Sequence, residues 1–418
     1  MTPRQILLRM FEAATAAASP SVCLPPHLPE RPHGRLVVVG AGKAAAAMAQ
    51  VVERHIEGPL EGMVVTRYGH GVPCRQIEVV EAGHPMPDSA GSEAAARILG
   101  LVNGLGPDDL VLFLVSGGAS ALLALPSHGI TLEEKRAVTA ALLKSGASIH
   151  EINAVRKHLS TIKGGRLAAA AAPATMVTLA ISDVAGDDLS VIGSGPGVPD
   201  PSTLAEARRV LAHYRITPPA SVARRLEDPA AETPKPGDPR LAHARAQLVA
   251  TPQESLEAAA MVAVSHGWLP LILGDTIEGE AREVARALAG IARSVSRHQQ
   301  PVPSPAVLIS GGETTVTMTG KGRGGPNAEF LLSLAIALDG AAGIHAIACD
   351  TDGIDGTEEN AGAIITPDTL ARARKRDLDA RKLLADNDSY GFFSALGDLV
   401  VTGPTRTNVN DFRAILVD

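Results

Sequence analysis

Apolar runs without alternation, each stopped by glycine or a polar cluster, organise the first half of the chain. Leu36-Val37-Val38-Val39, Leu110 to Val115 and Met176 to Ile181 have the pattern of strands covered on both faces, which is typical of a parallel sheet. Met63 to Val65 and Ile77 to Glu81 add two short strands. Helical patterns lie between them: an amphipathic stretch over residues 3–18, an Ala-rich one from Ala44 to Ile56, and another from Ser89 to Val102. The capping box Thr131-Leu132-Glu133-Glu134 opens a helix to about Ser148. The next helix carries Ile152, Val155, Leu159 and Ile162 on one stripe, with Arg156 and Lys163 on its border. The second half reads similarly, with strands over Ala246–Ala250, Leu269–Leu273, Ala306–Ile309, His345–Ala348 and Leu399–Val401, and a last one at the C-terminus. Helices start at Thr251-Pro252-Gln253-Glu254 and at Gly274-Asp275-Thr276, the latter bearing Ile277, Ala281, Val284, Ala285 and Leu288; another covers Phe330–Ile336, with Asn327 placed to cap it. Thr315-Val316-Thr317-Met318 alternates with period two and predicts a half-buried strand. Strands alternating with helices predict an α/β protein. The stretch from Asp228 to Pro239, rich in proline and charge, predicts a boundary between domains at 1–235 and 240–418.

Composition narrows the partners. A chain of 418 residues, 45% hydrophobic and 20% charged, can bury large cores. Aromatics are only 2%, so the stacking platforms of a single-stranded nucleic-acid binder are missing, and a net charge of −7 argues against a phosphate-backbone partner. Any cationic site must be local. Three dispersed cysteines, Cys23, Cys74 and Cys349, give neither a disulfide framework nor a zinc spacing and suit a reducing cytosol. The longest apolar run, Leu110 to Leu125, is broken by Ser116-Gly117-Gly118 and falls short of a membrane span, so a cytoplasmic location is expected.

Candidate chemistry gathers at the strand ends, where open α/β sheets bind ligands. Gly40-Ala41-Gly42-Lys43 has the G-x-G-x-x-A spacing of a dinucleotide turn, completed by Ala45, but Lys43 follows the second glycine. After the next strand comes Thr66-Arg67-Tyr68 instead of a ribose-binding acid. A lysine at a helix start opposes the helix dipole, which favours an anion-holding role for Lys43. Ser116-Gly117-Gly118 and Ser310-Gly311-Gly312-Glu313 end two apolar strands in the same way and suggest two sheet edges facing one ligand, or chance turns. Ser182-Asp183 and Asp350-Thr351-Asp352 bring carboxylates to two further strand ends, suited to Mg²⁺ or to accepting a substrate proton. Gly320-Lys321-Gly322-Arg323-Gly324-Gly325-Pro326-Asn327 outlines an anion loop delivering the chain to a helix N-terminus; the alternative is a mobile loop whose cations face water.

Taken in order, Gly40-Ala41-Gly42-Lys43, Glu81-Ala82-Gly83-His84-Pro85, Val115-Ser116-Gly117-Gly118, Ile152-Asn153-Ala154-Val155-Arg156-Lys157, Ile181-Ser182-Asp183-Val184, Gly311-Gly312-Glu313, Gly322 to Asn327, Asp350-Thr351-Asp352-Gly353 and Thr407-Asn408-Val409-Asn410-Asp411 resemble the type II glycerate kinase family. Its C-terminal part is called the MOFRL domain, and some members carry the name hydroxypyruvate reductase. The resemblance covers nearly the whole chain. It implies a Rossmann-like parallel-sheet N-terminal domain and a smaller mixed-sheet α/β C-terminal domain containing the MOFRL region (about 305–412), with the active site in the interdomain cleft. It also implies ATP- and Mg²⁺-dependent phosphorylation of D-glycerate to 2-phosphoglycerate. Lys43 and Arg323 match the cations that the family places at the phosphates.

On this basis Lys43, Arg323 and Asp183 form the expected catalytic set. Gly40, Gly42, Ser116, Gly117, Gly118, Gly311, Gly312, Glu313, Gly324 and Asn327 form the nucleotide- and phosphate-binding set. Asp183 orients or deprotonates the glycerate hydroxyl or holds Mg²⁺, with Asp350 and Asp352 as further metal candidates. Arg156 is assigned to the glycerate carboxylate, with Asn153 beside it in the substrate-binding set. ATP and D-glycerate are the expected partners, without nucleic acid or membrane; a homodimer is left open. Two rival classes remain. An NAD(P)H-dependent hydroxypyruvate reductase would use the Gly40–Gly42 turn, with Arg67 meeting an NADP phosphate. A non-catalytic binder of sugar acids would need neither carboxylate cluster.

Overall fold

The uninterrupted apolar runs of the first half pair into one sheet. The computed structural model describes residues 1–418 and divides into two units, Pro20–Val249 and Met1–Ser19 joined with Ala250–Asp418. In the first unit β1 (Leu36–Ala41), β2 (Glu61–Arg67), β3 (Glu78–Ala82), β4 (Leu110–Val115), β5 (Thr175–Ile181) and β6 (Ala244–Ala250) take the order β3-β2-β1-β4-β5-β6. The pairs β1–β2, β2–β3, β1–β4 and β4–β5 are parallel. β1 and β4 are buried along their whole length, as their lack of alternation requires. The order reverses between β1 and β4, and such a reversal opens a crevice outside the C-terminal strand ends. Helix Ser89–Val102 covers one face through Ala94, Ala95, Ile98 and Val102. A separate helical cluster joins Val138 and Leu142 to Ile152, Val155 and Leu159 and to the helices Leu204–His213 and Ala220–Glu227.

In the second unit β7 (Leu269–Gly274), β8 (Gly279–Glu280), β9 (Ala306–Ser310), β10 (Thr314–Thr315), β11 (Ile344–Asp350), β12 (Gly362–Ile365), β13 (Leu399–Val400) and β14 (Asp411–Val417) form a two-stranded β10–β8 ladder and a mixed sheet ordered β13-β12-β11-β14-β9-β7. Only β7–β9 is parallel within the larger sheet; β11–β12, β11–β14, β12–β13 and β14–β9 are antiparallel. Period two sorts its side chains. Val307, Ile309, Phe412 and Ala414 face helices Pro3–Ala17 and Pro252–Ser265, whereas Leu308, Ala346, Ile415 and Val417 face helices Ala281–His298 and Pro326–Leu338.

Several expectations are corrected. The division falls between Val249 and Ala250, and the opening helix belongs to the second unit, because Ile6, Leu7, Met10 and Phe11 bury against Leu256, Ala259 and Phe412. Ile277 lies outside the helix expected to bear it; that helix starts at Ala281 after the two-residue β8. The alternating Thr315–Met318 segment is not a strand, since β10 ends at Thr315 and the backbone N–H of Thr317 donates to the Glu280 side chain (2.8 Å). The helix from Thr131 stops at Ser145, with Gly146 in the left-handed region (φ 77°), and the next runs only from Ile149 to His158. Ile162 and Lys163 therefore lie beyond the helix on which the sequence put them.

Candidate active site

The crevice at the strand-order reversal is built by the turns after β1 and β4. The N–H of Gly42 donates to Val65 O (3.0 Å), that of Lys43 to Gly117 O (2.8 Å) and that of Ala44 to Ser116 Oγ (2.9 Å). These are the groups that would cradle a pyrophosphate, and all three are taken up internally. Gly40 and Gly42 are needed for packing: a Cβ on Gly40 would strike Leu114 O, and one on Gly42 would strike Ser116 Oγ. The phosphate contact expected of these two glycines is thus unavailable from the Gly42 turn, and the Gly40 position is internal to β1. The N–H groups of Gly117 and Gly118, in contrast, have no acceptor within the protein. Gly118 adopts φ 84°, and a Cβ there would meet the His84 ring at 2.9 Å and Lys43 Cγ at 3.6 Å. Lys43, Gly118 and His84 are consequently neighbours, whereas in the sequence His84 figures only within the Glu81–Pro85 motif.

A cavity of about 250 Å³ extends from this corner, lined by His84, Gly118, Ser120, Lys135, Arg136, Arg156 and Lys163 among others, and by no Asp or Glu. Lys135 and Lys163 are 5% and 1% exposed. Their ammonium groups reach only carbonyl oxygens, Lys135 Nζ to Leu125 O (3.5 Å) and Lys163 Nζ to Gly193 O (3.2 Å). Burial, and then the nearby Arg156, bring Lys135 down to about 7; burial, Lys135 and Arg156 hold Lys163 well below the ordinary lysine range. Burial lowers Arg156 as well. Asn153 is buried and is linked to the cavity by a relay. Ser194 Oγ donates to Asn153 Oδ1 (3.0 Å), which leaves Ser120 Oγ to donate to Ser194 (2.8 Å), so Ser120 presents acceptor lone pairs to the cavity. Asn153 Oδ1 thus orients Ser194 and, through it, Ser120. Asp183 is half-buried just beyond β5, in a turn where the N–H of Val184 donates to Ser182 Oγ (3.3 Å).

In the second unit the glycine-rich loop differs from the open anion nest outlined by its composition. The N–H groups of Gly320 and Thr319 donate to Asn387 Oδ1 (2.9 and 2.8 Å), that of Lys321 to Asp386 Oδ1 (3.1 Å), that of Gly322 to Asp386 O (2.8 Å) and that of Arg323 to Asp388 Oδ1 (3.3 Å). Glycine is required at 320, 322 and 324 because a Cβ would run into Asp386, Asp388 and Ser389. Asn327 does not cap the helix. Gly325 is the N-cap residue, and the Asp355 carboxylate accepts the N–H groups of Asn327 (2.9 Å) and Ala328 (2.8 Å), so a protein carboxylate already fills the helix N-terminus. The Asn327 amide donates to Asp411 Oδ1 (2.7 Å). Asp411 also pairs with Arg413, which is fully buried, donates to Gly311 O (2.8 Å) and so fixes the Gly311–Gly312 turn. Burial raises Asp355 to about 7, helped by the Asp411 charge, despite its two backbone hydrogen bonds.

The loop leaves its cationic side chains outward. Arg323 is 65% exposed, ion-paired with Glu358 and stacked over the Tyr390 ring (4.6 Å). Glu313 is exposed beside the buried Gly312. Asp350 Oδ1 accepts the N–H of Asp352, and Asp352 Oδ1 that of Ile354, each at 2.8 Å. No group of three or more His, Cys, Asp or Glu is arranged to hold a metal ion. A magnesium ion riding on nucleotide phosphates needs only one or two carboxylates, which the Asp350–Asp352 pair or Asp183 satisfies in donor type. No helix is long and apolar enough to cross a membrane.

Sequence reasoning missed His84, Lys135, Arg136, Asp355 and the structural use of Asp411. Lys135 did carry a signal, since it precedes Val138 and Leu142 by three and seven residues and so shares their buried stripe.

Comparison with known proteins agrees with this organisation. Residues 6–227 match a family model described as a domain of unknown function (DUF4147), and residues 306–411 match the MOFRL family. The chain is 56% identical over 420 residues to an Agrobacterium vitis protein provisionally named a hydroxypyruvate reductase, covering 100% of this chain and 95% of the relative. It is 41% identical over 410 residues to the D-glycerate 2-kinase of Thermotoga maritima, covering 98% and 97%. The crystal structure of a Thermotoga maritima glycerate kinase superposes with a TM-score of 0.89 at 41% identity over 99% of both chains, and that of the PH0495 protein of Pyrococcus horikoshii with 0.83 at 38% over 100% and 99%. Full-length identity to named kinases, both domain models and the whole-chain superposition together show that this chain belongs to the glycerate kinase family.

Proposed function

We propose that the protein transfers the γ-phosphoryl group of ATP to the 2-hydroxyl of D-glycerate, giving 2-phosphoglycerate and ADP. The observation that carries this reading is the acid-free cationic cavity opening beside Lys43 and the unpartnered N–H groups of Gly117 and Gly118. It suits a small anionic acceptor next to phosphate-binding groups, and the full-length similarity to a D-glycerate 2-kinase points the same way.

In this reading Lys43 and Arg323 offset charge on the transferring group, because phosphoryl transfer is accelerated chiefly by positioning and charge stabilisation. Gly117, Gly118 and Gly312 offer backbone donors to phosphate oxygens. Arg156 receives the glycerate carboxylate, with Ser120 accepting a substrate hydroxyl proton in a hydrogen bond. The attacking hydroxyl oxygen forms the new O–P bond as the bond to ADP breaks, and its proton passes to Asp183. Mg²⁺, held by Asp183 or by Asp350 and Asp352 together with the nucleotide, supplies neutralisation of the phosphate charge.

The reductase alternative depends on the Gly40–Lys43 turn as a dinucleotide cradle, and the internal use of its N–H groups argues against it. The deciding experiment measures ADP release from ATP, Mg²⁺ and D-glycerate, assigns the product by ³¹P NMR, and runs NADPH with hydroxypyruvate alongside. Glycerate-dependent ADP with a 2-phosphate product supports the proposal. NADPH oxidation without ADP overturns it.

A further inference from the structure

Two buried cations in this protein have a carboxylate partner. Lys157 pairs with Asp200 at 3.1 Å and Arg413 pairs with Asp411. Lys135, Arg156 and Lys163 form no salt bridge, and they converge on one cavity. Every charged group facing that cavity is a cation or a histidine: Lys135 and Arg136 from helix Leu132–Ser145, Arg156 from helix Ile149–His158, Lys163 from the turn beyond it, and His84 from the loop after β3, with Lys43 behind Gly118. Asp88 acts on Arg136 and already accepts the N–H groups of Gly83 and Gly91 and the Tyr68 hydroxyl. Clustering unpaired cations away from water is unfavourable in the empty protein. Such an arrangement persists where a ligand supplies the missing charge.

We infer that Lys135 and Lys163 act with Arg156 as a carboxylate-recognition subsite, specific for short hydroxy-monocarboxylates. This deepens the assignment of Arg156 above and rests on that reading for the identity of the acid, but the binding event does not require the transfer step. An anion among these groups favours their charged forms. At pH 8, above the position to which burial brings the empty Lys135, binding is therefore accompanied by proton uptake, and affinity falls as pH rises through that region. A neutral polyol of the same size is excluded, since it leaves the cations unpaired. Ser120, with its lone pairs turned inward, distinguishes a hydroxy acid from the corresponding deoxy acid.

The test is calorimetric titration of the whole protein with D-glycerate, without nucleotide, at pH 8 in two buffers of different ionisation enthalpy, with glycerol as the neutral control. Net proton uptake by the protein is expected with D-glycerate, and no binding with glycerol. Lys135→Met and Lys163→Met should each weaken D-glycerate on the order of 10- to 100-fold, as for loss of a charge-assisted hydrogen bond. At pH 5, where Lys135 is charged in the empty protein, Lys135→Met should raise the thermal midpoint, because an unpaired buried charge is removed. A merely structural lysine would lower it. Binding without proton uptake, glycerol binding as well as D-glycerate, unchanged affinity in both variants, or no D-glycerate binding at all overturns the inference. D-Glycerate binding with proton uptake but no ADP formation in the kinase assay would leave the subsite standing and sink the proposed reaction.

Discussion

Lys157 in the first unit and Asp355 in the second are both buried, and their sites shift stability with pH in opposite directions. Lys157 neutralises Asp200, which also accepts from Ser202 and Thr233 in a site without solvent. Burial alone would raise Asp200, but Lys157 and Ser202 outweigh it and hold the carboxyl below its usual range. Lys157→Met strands that carboxylate and is expected to destabilise the protein by about 3–5 kcal/mol in urea denaturation. The pair's stabilisation is present above the ordinary aspartate value of 3.8 and is lost as acid takes pH below it. Asp355 has the reverse sign. Its folded-state value lies at about 7, above 3.8, so its contribution to stability declines as pH rises from roughly 4 towards 7. Asp355→Ala orphans the N–H groups of Asn327 and Ala328 and should lower stability by about 1–3 kcal/mol, a loss measurable by thermal denaturation at pH 5. Arg323 is exposed, so Arg323→Ala should leave stability within about 1 kcal/mol of the parent. Steady-state kinetics should show its kcat reduced on the order of a thousandfold, the scale of a phosphate-neutralising arginine.

At the scale of elements, turns decide the chemistry. Ser116-Gly117-Gly118 was legible as a strand-end turn, and β4 ends there. Its glycines could not be ranked from sequence, because the lack of room for a Cβ at Gly118 comes from where His84 and Lys43 lie across the crevice. Gly118→Ala should cost about 1–3 kcal/mol of strain and displace His84 or Lys43, so activity should fall even where the variant remains folded by circular dichroism. The glycine-rich loop teaches the opposite lesson. Four glycines and two cations suggested open N–H groups, yet the segment Asp386–Asp388 covers many of them. No local pattern reveals a partner more than sixty residues away. The β4 and β9 Ser-Gly-Gly endings suggest two sheet edges facing one ligand, or chance turns, and both strands lie inside their sheets with a neighbour on each side.

For the whole molecule, the clearest departure from the sequence reading is the opening helix. Its amphipathic stripe was evident, but a stripe does not name the surface that covers it. Ile6, Leu7, Met10 and Phe11 bury against the second unit, each contributing about 1.5–3 kcal/mol as an upper estimate. Deleting residues 1–19 should therefore destabilise the second unit while leaving the first intact. Limited proteolysis would show faster cleavage within 250–418 and persistence of the 20–249 fragment; equal protection of both would contradict the assignment.

The sequence by itself determined the α/β class, the strand runs, the capping boxes and the placement of Lys43, Asp183 and Arg323 near strand or loop ends, because propensity, periodicity and turn chemistry act over a few residues. Motif order added the family. Only the tertiary structure decided which N–H groups remain for a ligand, that Asp355 occupies the helix N-terminus, and that Lys135, Arg156 and Lys163 share one cavity without an acid. Hydrogen-bond satisfaction and charge compensation are set by neighbours distant in sequence, and those neighbours exist only once the chain has folded.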